Sequence, residues 1–178
     1  MNAVIGLSYL ALKTALTPKQ RDYVTKIQSA GTSLLAIIND ILDFSKIEAG
    51  KLELECTDFH LRILVDDVLE LFAAPAHQKH LELIADVADS VPAFVKGDPA
   101  RLRQILINLI GNAKKYSDPQ QTIAIRLEAR TAHMAVIVED HGIGIPLEDQ
   151  ARIFEPFFRG SNTGKHEGTG LGLPVVKA

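Results

Sequence analysis

Cysteine occurs once in the chain, at Cys56, so no intrachain disulfide can form, which fits a reducing compartment. No apolar run approaches the roughly 20 residues that a membrane span needs, and no secretory leader opens the sequence. Positive charge is not in excess either. Against 22 Asp and Glu stand 19 Lys and Arg, a formal net charge of -3, which argues against a nucleic-acid partner. What is present is a chain of 178 residues, 47% hydrophobic, enough for one ordinary domain plus a helical appendage. Helical pattern begins at Met1 and Val175-Val176-Lys177-Ala178 stops in mid-pattern, so both ends read as cut.

Val4, Leu7 and Ala11 recur at helical spacing between Met1 and about Ala15. Thr17-Pro18 reads as a stop and restart, Thr as N-cap and Pro at the first helical position. From there to about Ala49, the residues Tyr23, Ile27, Ala30, Leu34, Ile37, Ile41 and Phe44 alternate spacings of four and three. That is an a/d seam, widened by Leu35, Ile38, Leu42 and Ile47. A helical hairpin with two apolar flanks cannot cover both alone. Pairing with a second copy gives a four-helix bundle. Packing of the stripe on the rest of the chain is the alternative, and the length of the seam favours the second copy.

Ala49-Gly50 carries a C-cap signal. Beyond it the alternation Leu52-Glu53-Leu54-Glu55 predicts a short strand. A helix follows from Leu61 to Lys79, with Ile63, Val65, Val68, Leu69 and Phe72 inward and Pro75 as a candidate kink. Leu81 to Val87 reads as a strand and Val91 to Val95 as an edge or loop. Asp98-Pro99, N-cap and first-turn proline, opens a helix through Tyr116. Strands are predicted at Thr122 to Ala129 and Ala132 to Glu139. The fold class is α+β: a helical hairpin over 1–50, then over 51–178 a mixed domain with its strands in one sheet and its helices on one face.

The chemistry concentrates in two places. On the helix ending at Tyr116, Asn108, Asn112 and Lys115 lie at spacings of four and three and share a face. Asparagine is a poor helix former, so two in register call for a reason. A carbonyl oxygen toward Mg²⁺ and a lysine toward phosphate supply one; amides satisfying local backbone supply another. The second place is the run from Val138 to Leu173, with glycine clusters at Asp140-His141-Gly142-Ile143-Gly144 and Gly168-Thr169-Gly170-Leu171-Gly172-Leu173. Glycines two apart let backbone N–H groups close on a bulky anion. Between the clusters come Phe154, Phe157 and Phe158, then a polar Gly-rich loop. The order reads as a nucleotide pocket with a lid. Asp140 suits either an Asx-turn or acceptance of an adenine amine, and Lys115, Arg159 and Lys165 suit either a solvated charge set or the screening of a triphosphate.

In this order the segments Asn108-Leu-Ile-Gly-Asn112-Ala-Lys-Lys115-Tyr116, Asp140-His-Gly-Ile-Gly144, Phe154-Glu-Pro-Phe157-Phe158 and Gly168-Thr-Gly-Leu-Gly-Leu173 resemble the N, G1, F and G2 boxes of sensor histidine kinases. Met1-Asn2-Ala3-Val4-Ile5-Gly6 resembles the tail of that family's phosphoacceptor helix, and Ile41 to Gly50 resembles the end of its second dimerisation helix in hybrid kinases. The resemblance implies an α/β sandwich with a mixed sheet of Bergerat type, binding ATP between the N-box helix and a lid. It implies Asn112 as Mg²⁺ ligand, Asn108, Lys115 and Tyr116 along the phosphate and base side, and Asp140 on adenine. It further implies Gly142 and Gly144 at the pocket floor, Phe157 and Phe158 anchoring the lid, and Gly168, Thr169, Gly170, Leu171, Gly172 and Leu173 presenting amides to phosphate. The reaction implied is γ-phosphoryl transfer from ATP to a histidine and on to an aspartate of a response-regulator receiver domain. Homodimerisation through 1–50, a cytoplasmic segment without membrane contact, and no nucleic-acid partner complete the expectation. Anchoring of the parent in a bacterial inner membrane is left open.

Two departures stand out. The family's phosphoacceptor histidine would precede Met1, and none of His60, His77, His80, His133, His141 or His166 has its context. The family also continues past the G2 box. The expectation is a chain that does not autophosphorylate and is less stable than a complete domain. Two rival readings are an ATP-binding regulatory module without kinase activity and a gyrase- or Hsp90-like ATPase. In those ATPases the position of Asn108 is a glutamate that activates water; an amide cannot act as that base.

Overall fold

The computed structural model describes residues 1–178 except 132, 165, 167 and 178. The chain forms two compact units, Met1–Lys51 and Leu52–Ala178.

The first unit is a helical hairpin of α1 (Asn2–Leu12) and α2 (Pro18–Glu48). Thr17 starts α2 through a capping box: its hydroxyl accepts the Gln20 N–H at 3.3 Å and its own N–H donates to Gln20 Oε1 at 3.0 Å. The helices pack closely at Gly31, where a Cβ would lie 3.3 Å from Ile5 Cγ1. Gly50, at φ +62°, ends α2 with the Lys51 N–H on the Lys46 carbonyl and the Gly50 N–H on that of Ile47, a Schellman stop. Along α2 the side chains of Tyr23, Ile27, Leu34 and Ile41 are exposed, and Leu7 and Leu10 of α1 are 67% and 60% exposed.

The second unit runs β1 (Thr57–His60), α3 (Leu61–Gln78), β2 (Glu82–Val87), β3 (Phe94–Gly97), α4 (Pro99–Tyr116), β4 (Thr122–Ala129), β5 (Met134–Glu139), α5 (Leu147–Gln150) and α6 (Gly172–Lys177). Among the described residues its strands divide between two sheets rather than one. β1 pairs antiparallel with β3, while β4 lies between a parallel β2 and an antiparallel β5. On β4 the buried Ile123, Ile125 and Leu127 alternate with Ala124, Arg126 and Glu128, and Arg126 pairs with Glu139 across the sheet. Leu61, Leu64, Val65 and Val68 of α3 and Leu106, Ile110 and Ala113 of α4 complete one core with those β4 residues.

Several local expectations shift. Residues 52–55 are not a strand: the Glu55 amide donates to Asp98 Oδ2 at 3.2 Å instead of to a neighbouring strand, and Leu54 is exposed. The strand comes two residues later, as β1. Val91 to Val95 contributes only its end, since β3 begins at Phe94. Ile63 faces solvent at 55% exposure, and Leu61 and Leu64 hold the inward positions. Pro75 stands inside α3, which continues to Gln78. Ala132, the expected start of the last strand, lies outside the described residues.

Candidate functional site

α4 is the element that carries the site. Asp98 caps it, Oδ1 accepting the Arg101 N–H at 3.0 Å. That amide, with the Glu55 amide on the second oxygen, holds the carboxyl below its ordinary range. Leu106, Ile110 and Ala113 bury one side of the helix, and Asn108, Asn112 and Lys115 fall on another. Asn108 Nδ2 donates to the Gly172 carbonyl at 3.4 Å. A Cβ on Gly168 would lie 2.6 Å from Lys115 Nζ. The amide-and-lysine face therefore runs along the second glycine cluster, and Asn112 sits half-buried between Asn108 and Lys115.

The first glycine cluster docks on the end of the same helix. The Tyr116 carbonyl accepts the Ile143 N–H at 3.2 Å. A Cβ on Gly142 would lie 2.5 Å from that carbonyl oxygen and 2.8 Å from its carbon. Asp140 Oδ1 accepts the Gly142 N–H at 2.9 Å, an Asx-type turn that orients the carboxylate at the end of β5. Gly144 has φ +66° in open space. The Tyr116 ring meets the edge of His166 at 5.2 Å, and Lys115 Nζ lies 4.6 Å from the Tyr116 ring centre.

The phenylalanine patch closes against the second cluster. The Phe157 N–H donates to the Gly170 carbonyl at 3.0 Å. Both residues are left-handed, at φ +63° and +72°, and a Cβ on Gly170 would lie 2.6 Å from the Phe158 carbonyl oxygen. Phe158 packs under Arg152 at 4.3 Å and Phe154 under Lys177 at 5.4 Å. Leu171 is fully buried, its N–H on Thr169 Oγ1 at 3.4 Å; Leu173 lies in the first turn of α6.

Three residues that the sequence did not single out tie this region together. Asp149 is 7% exposed and its Oδ2 accepts both the N–H of Ser161, at 2.7 Å, and its hydroxyl, at 2.8 Å. Those two bonds hold the Asp149 carboxyl below its ordinary range. Asn162 Nδ2 donates to the carbonyls of Ile143 at 3.3 Å and Gly144 at 3.0 Å. The loop after Phe158 is thus pinned to the first glycine cluster. Only the turn-rich composition of residues 160–164 hinted at this. Arg159, expected to screen phosphate, donates to the His166 carbonyl and is exposed. Lys165 lies outside the described residues.

Comparison with known proteins bears on this geometry. Residues 1–50 match the His Kinase A (phospho-acceptor) domain, and residues 97–178 match the Histidine kinase-, DNA gyrase B-, and HSP90-like ATPase family. The signal transduction histidine-protein kinase BarA of Escherichia coli (strain K12) is 47% identical over 184 residues, which is 99% of this chain and 20% of BarA. The chain therefore spans about a fifth of the length of the curated relatives it matches. Full-length ShkA in complex with AMPPNP superposes with a TM-score of 0.79 at 34% identity, over 99% of this chain and 36% of ShkA. ThkA in complex with the response regulator protein TrrA aligns at a TM-score of 0.62 and 28% identity, over 88% of this chain and 46% of that one. The catalytic domain of the histidine kinase ThkA, nucleotide-free, has a TM-score of 0.61 and 32% identity over 69% of this chain and 78% of that domain. With both domain families in order and a catalytic domain matched over most of its length, the chain belongs to the histidine kinases.

Proposed function

We propose that the chain is the dimerising and ATP-binding core of a hybrid-type sensor histidine kinase. Its parent transfers the γ-phosphoryl group of ATP to a histidine and passes it to a receiver-domain aspartate. The observation that carries this reading is the convergence on α4: Asn108 against Gly172, Lys115 against Gly168, and Tyr116 against Gly142. At Gly142, Gly168 and Gly170 a Cβ would meet neighbouring atoms at 2.5–2.6 Å, so the chain packs closely where a phosphate chain needs N–H donors.

In this reading Asn112 offers its amide oxygen to Mg²⁺, while Asn108 positions the Gly168–Leu173 segment and Lys115 neutralises phosphate charge. Asp140, oriented by its turn on Gly142, accepts the adenine amine, and Tyr116, whose ring meets the edge of His166, lies along the phosphate and base side. Bound MgATP supplies the phosphoryl group and the charge that shields it; the protein's share is alignment and exclusion of water by the loop that Asn162 and Asp149 tether. Asn108 has no basic oxygen to activate water, which favours a protein nucleophile over hydrolysis. The complex of ShkA with AMPPNP supports the nucleotide, and that of ThkA with TrrA supports a response-regulator partner. The exposed seam on α2 supports a homodimer through residues 1–50. Among the described residues no helix is long and apolar enough to cross a membrane; a cytoplasmic position for this segment belongs to the same proposal.

The test fuses a histidine-kinase phosphoacceptor helix to the N-terminus of the chain and supplies labelled ATP. Acid-labile phosphohistidine is expected, lost in Asn112→Ala and Asp140→Ala. Phosphate released to water with no labelled histidine would point to a hydrolase instead.

A further inference from the structure

The last carbonyls of a helix have no partner within it, and at the end of α4 they meet one cation. Lys79 Nζ donates to the carbonyls of Lys114 at 2.8 Å, Lys115 at 3.0 Å and Ser117 at 2.6 Å. An ammonium has three protons, and all three are used. The positive charge also sits at the negative end of the helix dipole. Lys79 itself is the C-cap of α3, 35 residues before the first carbonyl it binds. A second link runs alongside, the Gln120 N–H on the His80 carbonyl at 2.8 Å.

The carbonyl that Lys79 leaves free is that of Tyr116, in the middle of the clamped turn. It is the one that accepts the Ile143 N–H and abuts Gly142. We propose that Lys79 is a positioning residue for the nucleotide site, fixing the last turn of α4 so that the Tyr116 carbonyl presents one rigid seat to the loop carrying Asp140, Gly142 and Gly144. The proposal deepens the ATP-binding reading and rests on it for its ligand. Lys79 touches no part of the nucleotide in this account. Its effect passes through Tyr116 to Asp140, and loosening the seat lets the carboxylate that reads the base wander.

Two measurements on the 178-residue chain test it. Hydrogen exchange, with no nucleotide present, is followed at the Ile143 amide and at that of Ile125 in the middle of β4. Lys79→Met is expected to raise exchange at Ile143 about tenfold relative to Ile125, and Lys79→Arg to restore most of the protection. Titration with MgATP well below the melting temperature is expected to show affinity about tenfold weaker for Lys79→Met and near wild type for Lys79→Arg. If Lys79→Met does not fold, Lys79→Gln, with two donors in place of three, takes its place. Uniform loss of protection at both amides, or unchanged exchange at Ile143, overturns the proposal. Exchange that rises at Ile143 in a chain whose wild type binds no ATP upholds the clamp and defeats the nucleotide reading.

Discussion

Gly142 is seated on the carbonyl of Tyr116 so closely that a methyl group there would lie 2.5 Å from the oxygen. The two nearest atoms belong to the Tyr116 backbone, which cannot swing aside, and Asp140 Oδ1 follows at 3.0 Å. Gly142→Ala is therefore expected to lower stability by about 2 kcal/mol and weaken ATP binding at least about tenfold. Gly144→Ala meets open space and carries only the strain of φ +66°, about 1 kcal/mol. Chemical denaturation and nucleotide titration of both variants check the contrast; equal effects from the two would contradict it.

Asp149 makes the tether of the loop sensitive to acid. Its carboxyl is held below the ordinary range by the Ser161 amide and then the Ser161 hydroxyl, so the link is complete above about pH 4 and is lost as pH falls through the lower folded-state pKa. The protection factor of the Ser161 amide is expected to drop in that acid window. In Asp149→Ala it should be low at every pH. A protection factor indifferent to both would rule out the tether.

The relation of fold to sequence is clearest at α4, whose bounds Pro99–Tyr116 follow from Asp98-Pro99 at one end and the loss of apolar spacing at the other. Thr17-Pro18 defines α2 in the same way. These are local signals, a side-chain oxygen and a proline acting within one turn. β1 was not legible because its partner β3 lies 40 residues on, and the alternation of residues 52–55 imitates a strand without a ladder to join. At the site, glycines announce close approach, yet what they approach is settled only by packing. Lys79, Asp149 and Asn162 act through bonds spanning 12–38 residues, for which no spacing rule exists.

His80 occupies a left-handed conformation, φ +56°, in the turn from α3 to β2. Glycine adopts that region without a Cβ penalty, at some cost in unfolded-chain entropy. His80→Gly is expected to stabilise the chain by about 0.5 kcal/mol, read as a higher urea midpoint. A lower midpoint would mean that the imidazole makes a contribution larger than its strain.

The apolar seam of the hairpin gives an independent handle on assembly. Leu34 and Ile41 are exposed in the single chain, and a shared helical face of this kind is covered in a four-helix bundle. Sedimentation of the wild type is expected to give twice the chain mass, and Leu34→Glu or Ile41→Glu a monomer with unchanged helical circular dichroism. A wild type that stays monomeric at micromolar concentration would count against the dimer.

Calorimetric titration of the 178-residue chain with ATP and Mg²⁺, set beside GTP and beside the Asp140→Ala variant, reaches the central claim most directly. The expected result is one saturable site that prefers ATP and disappears with the carboxylate. Equal binding of both nucleotides, or binding untouched by Asp140→Ala, would contradict it.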